Sequence, residues 1–136
     1  MINPVITPVR RIVFVCVENS CRSQIAEAFG RMYGGPNLEV YSAGSRPSGQ
    51  VNPKAVAAMK EIGYDLSSHA SKALDALPDV EFDAAITMGC GDECPMLRAR
   101  ERADWGIPDP KHLGPAELRE VRDLIAHKVR ELLAAL

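Results

Sequence analysis

Arg11 to Val15 reads Arg-Ile-Val-Phe-Val, a short β-branched and aromatic run of the kind that forms a strand buried on both faces. From Ser23 the period changes. Apolar residues at Ile25, Ala26, Ala28, Phe29 and Met32 mark one helical face, and Gly34-Gly35-Pro36 ends it. The alternation then recurs: Leu38 to Ser42 predicts a second strand, Asn52 to Glu61 a helix with Pro53 in its first turn, and Ala84 to Met88 a third strand. Pro115 to Leu133 gives the longest helix, with Leu118, Val121, Leu124, Ile125, Val129 and Leu132 as its apolar stripe. Two segments are less regular. Ala70 to Leu77 reads as a short helix, and Trp105-Gly106-Ile107 as a last strand before Pro108-Asp109-Pro110.

Strands alternating with helices predict an α/β fold, a three-layer doubly wound domain with a four-stranded parallel sheet flanked by helices. Ligands of such a sheet sit beyond the carboxyl ends of its strands. With 136 residues and 46% apolar content the chain fills one core, so residues 1–136 are expected to form a single domain. A net charge of -2 offers no basic field for nucleic acid or a membrane surface, which leaves anion recognition to a local pocket. No apolar stretch approaches the roughly 18 residues of a membrane span, and Met1 to Arg10 lacks the apolar region of a signal peptide. The expected location is the cytoplasm, where Cys16, Cys21, Cys90 and Cys94 suggest chemistry or metal binding before a structural disulfide framework.

The first strand runs directly into Cys16-Val17-Glu18-Asn19-Ser20-Cys21-Arg22-Ser23, a CxxxxxR string followed by Ser at the amino end of a helix. A loop of this length can curl its backbone N–H groups around an anion, and the helix dipole adds positive potential. Val17, Glu18, Asn19, Ser20, Cys21 and Arg22 are therefore the expected oxyanion-binding residues. Arg22 can close the cradle with its planar fork, and the same field favours the thiolate of Cys16. Ser23 can cap the helix and donate to the sulfur, and Asn19 suits a left-handed backbone conformation. Cys21 has no evident partner and is expected to be packing, while Glu18 should face outward, since a carboxylate aimed at the anion would repel it.

Asp109, held between two prolines, is the candidate general acid, although a turn aspartate has the same local sequence. Cys90 and Cys94 follow the third strand and so open on the same sheet edge as Cys16. Residues four apart reach disulfide distance only if their segment curls. Zinc is disfavoured, because His69, His112 and His127 do not stand at a recognisable ligand spacing, and no metal is expected.

The stretch from Phe14 to Phe29 resembles the low-molecular-weight tyrosine phosphatase superfamily, and within it the arsenate reductases. Tyr41-Ser42-Ala43-Gly44-Ser45, Val51-Asn52-Pro53-Lys54-Ala55, Met88 to Pro95 and Trp105 to Pro110 extend that resemblance over nearly the whole chain. The resemblance implies a low-molecular-weight phosphatase-like fold and arsenate as substrate, with phosphate or sulfate as analogues. Cys16 would then be the nucleophile, Arg22 and Ser23 its supports and Asp109 the acid. Cys90 and Cys94 would complete a disulfide relay emptied by thioredoxin or a glutaredoxin-like protein. No bound cofactor is implied beyond this external thiol reductant, and a monomer is expected.

The chain departs from that family in three places. Only three residues separate Cys90 from Cys94, fewer than in most thioredoxin-coupled members; Val17 and Glu18 stand where many carry Thr and Gly. Some members bind potassium with groups corresponding to Asn19, Glu27, Ser42 and an acidic residue after a His-x-Ser segment, whereas His69-Ala70-Ser71 is followed here by Lys72. Two other readings use the same loop: a phosphatase for phosphotyrosine or small phosphoesters, and an arsenate reductase resolved by glutathione or mycothiol. Lys111 stands after Asp109-Pro110 where tyrosine phosphatases usually carry an aromatic residue.

Overall fold

In the computed structural model, which describes residues 8–89 and 97–136, the elements run β1 (Arg10–Cys16), α1 (Arg22–Tyr33), β2 (Leu38–Gly44), α2 (Pro53–Lys60), β3 (Phe82–Thr87), β4 (Ala99–Asp104) and α3 (Pro115–Ala135). The four strands form one sheet in the order β2-β1-β3-β4, and every neighbouring pair is parallel. Because β1 leads to β2 on one side and borders β3 on the other, the sheet reverses direction at β1. The crevice beyond the ends of β1 and β3 is where an open α/β sheet binds its ligand.

Strand β1 is central because it can be buried on both faces. Ile12 and Phe14 pack under the helices with Ile25, Phe29, Ile125 and Val129, and all six are at most 2% exposed. Val13 and Val15 point the other way, toward Phe82, Ala85 and Leu97. That second face is covered by the connection carrying Leu74, Leu77 and Val80, which completes three layers. Each large side chain removed from water here contributes roughly 1.5 to 3 kcal/mol. Helix α2 begins as its sequence predicts, with the Asn52 side chain accepting from the Lys54 amide and Pro53 in the first turn.

Two predicted elements are corrected. The last strand is Ala99–Asp104, and Trp105-Gly106-Ile107 follows it as a loop, joined to the sheet by one bond from the Trp105 amide to the Thr87 carbonyl. Its sequence, Ala-Arg-Glu-Arg-Ala-Asp, lacks apolar alternation because it lies at a sheet edge and is mostly solvated, and its charges discourage edge-to-edge pairing. Ala70 to Leu77 is not a helix but an extended passage ending in a 3-10 turn at Leu74–Ala76. The Lys72 amide donates to Asn19 Oδ1 and the Lys72 carbonyl accepts from the Gly44 amide, which takes this backbone away from any helical ladder.

Candidate active site

Loop 17–21 leaves β1 with every one of its carbonyls turned toward the protein. Val17 O accepts from the Arg46 amide, Glu18 O from the Ser48 amide, Ser20 O from the Asn52 amide and Cys21 O from the Ile25 amide, at 2.8 to 3.0 Å. Asn19 O accepts from Gln24 Nε2 at 3.0 Å. In a trans peptide the N–H points opposite to the C=O, and none of the peptides of this loop is cis. The amides of Glu18, Asn19, Ser20, Cys21 and Arg22 therefore face away from those partners and into the hollow of the loop, next to the amino end of α1.

Two backbone features permit this curl. Asn19 adopts φ 48°, the left-handed conformation expected of it. Gly44 lies directly beneath, where an added Cβ would stand 2.4 Å from Val17 O and 2.7 Å from Cys16 O. Glu18 is exposed, and it lines the cavity above the loop.

Asn19 is fully buried and both polar atoms of its side chain are used. Its Oδ1 accepts from Gln24 Nε2 and the Lys72 amide, and its Nδ2 donates to Ser42 Oγ at 3.0 Å and Ser23 Oγ at 2.8 Å. Ser23 Oγ stands 2.9 Å from Cys16 Sγ. Either atom can donate while Cys16 is a thiol, but once it is a thiolate only the Ser23 hydroxyl carries a proton, and its bond to the sulfur stabilises that charged form. Ser23 does not cap the helix as predicted. The N-cap position is Cys21, with no side-chain cap, and Ser23 lies inside the first turn.

Arg22 is 8% exposed, and its Nη1 donates to Met88 O at 2.9 Å and Ile107 O at 3.0 Å. With Nη1 committed, the Nε and Nη2 edge is the parallel pair of donors suited to an oxyanion. The same guanidinium thus ties the anion loop to the ends of the two segments that carry Cys90 and Asp109. These segments also touch one another, since a Cβ at Gly89 (φ 83°) would come within 2.8 Å of Gly106 Cα.

A cavity of about 560 Å³ opens over the loop, lined by Cys16, Val17, Glu18, Ser20, Cys21 and Arg22 on one side and by Gly89 and Gly106 to Pro110 on the other. Asp109 is brought to this cavity on an exposed loop. Burial pushes the Cys21 thiol up to about 12, with the nearby Cys16 charge adding to the effect, so Cys21 stays protonated as expected of a packing residue. Cys90 and Cys94 lie outside the described residues. Among the described residues no group of His, Cys, Asp and Glu is placed to hold a metal ion, and no helix is long and apolar enough to cross a membrane.

Composition and spacing did not reveal how Glu27, Ser42, His69 and Lys72 support this site. Ser42 donates to Glu27 Oε1, and Lys72 Nζ stands 3.4 Å from both Glu27 Oε1 and Ser42 Oγ. His69 takes a bond from Tyr64 at Nε2 and holds Gln24 Oε1 through Nδ1. Burial holds its pKa below the usual histidine value, so it is neutral at pH 7.

A cysteine beneath a ring of inward amides, with an arginine closing the loop and an aspartate across the cavity, defines a thiol-dependent enzyme of oxyanion chemistry. Residues 11–136 match the low molecular weight phosphotyrosine protein phosphatase family, and the chain belongs to it. It is similar to arsenate reductases over most of its length. Arsenate reductase 2 of Staphylococcus saprophyticus is 40% identical over 126 residues, 90% of this chain and 95% of that protein. A solved arsenate reductase in its phosphate-binding state superposes with a TM-score of 0.85 at 33% identity, covering 93% of this chain and 98% of that one. The thioredoxin-dependent arsenate reductase of Corynebacterium glutamicum gives 0.76 at 36% identity, covering 96% of this chain and 63% of its own.

Proposed function

We propose that this protein reduces arsenate to arsenite, with Cys16 as nucleophile. The observation that supports it best is the loop whose five carbonyls bond outward, so that its amides converge above the Cys16 sulfur. Five N–H donors and the Arg22 edge match a tetrahedral dianion and cost no reorganisation when it arrives. The choice of arsenate over a phosphoester rests on the arsenate reductases that this chain resembles at about 40% identity.

Cys16 thiolate attacks the arsenic atom, a sulfur-arsenic bond forms, and one oxygen leaves as water after taking a proton from Asp109. Ser23 supports the thiolate before the attack, and Arg22 holds the remaining oxygens. The thiolate of Cys90 then attacks the Cys16 sulfur. The sulfur-arsenic bond breaks with its electron pair passing to arsenic, which leaves as arsenite, and a Cys16-Cys90 disulfide remains. Cys94 exchanges into that disulfide, and a thioredoxin-class dithiol reduces the resulting Cys90-Cys94 pair in the cytoplasm.

The test is arsenate-dependent oxidation of NADPH in the presence of thioredoxin and its reductase, run beside hydrolysis of an aryl phosphate. Arsenate-dependent turnover that disappears in Cys16→Ser is the expected result. Rapid aryl phosphate hydrolysis without arsenate reduction would make the protein a phosphatase instead. Parallel assays with glutathione and glutaredoxin, and with mycothiol and mycoredoxin, identify the reductant.

A further inference from the structure

Just beyond β3 the chain passes through one peptide unit that two distant side chains hold by its opposite edges. The Met88 carbonyl accepts from Arg22 Nη1 at 2.9 Å. The N–H of the same unit, that of Gly89, donates to Asp104 Oδ1 at 2.6 Å. In a trans peptide these two groups point in opposite directions, so Arg22 and Asp104 grip the unit between them. Asp104 is the last residue of β4 and the register partner of Thr87, the last residue of β3. Its Oδ1 also accepts from Thr87 Oγ1 at 2.7 Å, and the Trp105 amide donates to Thr87 O at 2.9 Å. These bonds fix the carboxylate to the end of the neighbouring strand before it meets the Gly89 amide.

Gly89 by itself does not select this arrangement. Its φ of 83° is a value that glycine adopts about as readily as the negative ones, so the Met88–Gly89 peptide can turn over at little local cost. Turning it would take the Met88 carbonyl off Arg22 and leave Nη1 with the Ile107 carbonyl at 3.0 Å. The bond to Asp104 decides between the two orientations, because only the observed one aims the Gly89 N–H at the carboxylate. A charged acceptor makes that bond stronger than one between neutral groups.

We propose that Asp104 is a positioning residue for the oxyanion site: by holding the Gly89 amide it keeps the Met88 carbonyl on Arg22, and so keeps the Nε and Nη2 edge of the guanidinium turned to the anion loop. It acts through Arg22 and touches no substrate. The charge of Asp104 and its hydrogen bonds predict opposite effects. Gly89 lines the cavity, and a carboxylate behind it repels a bound anion, so by charge alone its removal would tighten phosphate binding. As a positioning residue its removal weakens that binding. The proposal rests on the reading of loop 17–21 and Arg22 as an oxyanion cradle, but not on arsenate being the substrate.

The test uses the full chain with inorganic phosphate as probe, its affinity measured by calorimetry, together with hydrogen exchange of the Gly89 amide followed by NMR. Asp104→Ala should lose about fivefold to tenfold in phosphate affinity. Asp104→Asn, whose Oδ1 can still accept both bonds, should bind phosphate at least as tightly as the wild type. In an Arg22→Lys background, Asp104→Ala should change the affinity by less than about twofold, because its effect runs through the guanidinium. The Gly89 amide should exchange slowly in the wild type, although the residue is exposed, and rapidly in Asp104→Ala. Unchanged or tighter binding by Asp104→Ala overturns the proposal, as do equal losses in Asp104→Ala and Asp104→Asn, or an undiminished loss in the Arg22→Lys background. If Asp104→Ala does not fold, the wild type still gives the answer: slow exchange at Gly89 supports the clamp, and exchange at the rate of a free amide overturns it. Failure of the wild type to bind phosphate at all would instead remove the oxyanion reading of the loop.

Discussion

Ser23 Oγ lies 2.9 Å from Cys16 Sγ and at the same time receives a hydrogen bond from Asn19 Nδ2 at 2.8 Å. A thiolate can only accept, so with Cys16 ionised the serine gives its own proton to the sulfur. A buried hydrogen bond to a charged partner contributes about 1.5 to 3 kcal/mol. Ser23→Ala should therefore slow both iodoacetamide alkylation of Cys16 and arsenate turnover by about tenfold to a hundredfold, with the thermal midpoint little changed. Equal rates in variant and wild type would mean that the serine proton is not aimed at the sulfur.

Arg22 bonds Met88 O and Ile107 O through Nη1, and the proposed function gives its remaining edge a second task, holding the oxyanion. Lysine keeps the charge and supplies neither the fork nor the pair of carbonyl contacts. Arg22→Lys should lower turnover about a hundredfold and weaken phosphate binding together. Steady-state kinetics with phosphate as a competitive inhibitor measure both, and near-normal values would take Arg22 out of the cradle.

Cys21 lines the same cavity as Cys16, yet burial raises its thiol to about 12. A raised cysteine pKa means protonation, and so poor nucleophilicity, at every pH below that value. In a Cys90→Ser, Cys94→Ser background, limited iodoacetamide at about pH 8 should label Cys16 and spare Cys21, as read by peptide mass mapping. Labelling of Cys21 at a comparable rate would contradict its buried, protonated state.

His69 is neutral in the fold because burial lowers its pKa below that of the unfolded chain. The unfolded state then binds a proton at a pH where the folded state does not. The stability this supplies is complete above about pH 6.5 and is lost as pH falls toward the folded value. Thermal midpoints measured from about pH 7 to about pH 5 should fall more steeply for the wild type than for His69→Gln. Parallel slopes would show that His69 binds its proton equally well in both states.

The relay is tested by single turnover. With no external thiol, Cys94→Ser should release about one arsenite per protein, because Cys90 still resolves the Cys16 adduct, whereas Cys90→Ser should release none. Multiple turnovers with thioredoxin should collapse in both variants. Wild-type rates in both would remove the relay and leave an external thiol as the resolving nucleophile.

The sequence by itself determined the elements whose signals are local. Strand β1 is a contiguous apolar run, α3 a regular stripe, and loop 17–21 lies between a strand and a helix, so the anion cradle could be read from one short segment. Asn19 in its left-handed conformation follows from residue type, and the proposed nucleophile, Cys16, is placed by its position at the strand end. Edge strand β4 escaped notice because solvent on its faces removes the alternation that marks a strand. Ala70 to Leu77 misled for a different reason: its backbone groups are claimed by Asn19 and Gly44, distant in the chain. Only the tertiary structure decided that Arg22 reaches the carbonyls of Met88 and Ile107, 66 and 85 residues away, and that Lys72 comes to rest on Glu27, 45 residues away. Hydrogen bonds and ion pairs act over a few ångströms regardless of chain separation, so no local period records them, and the crossover of the sheet at β1 is what brings those residues together.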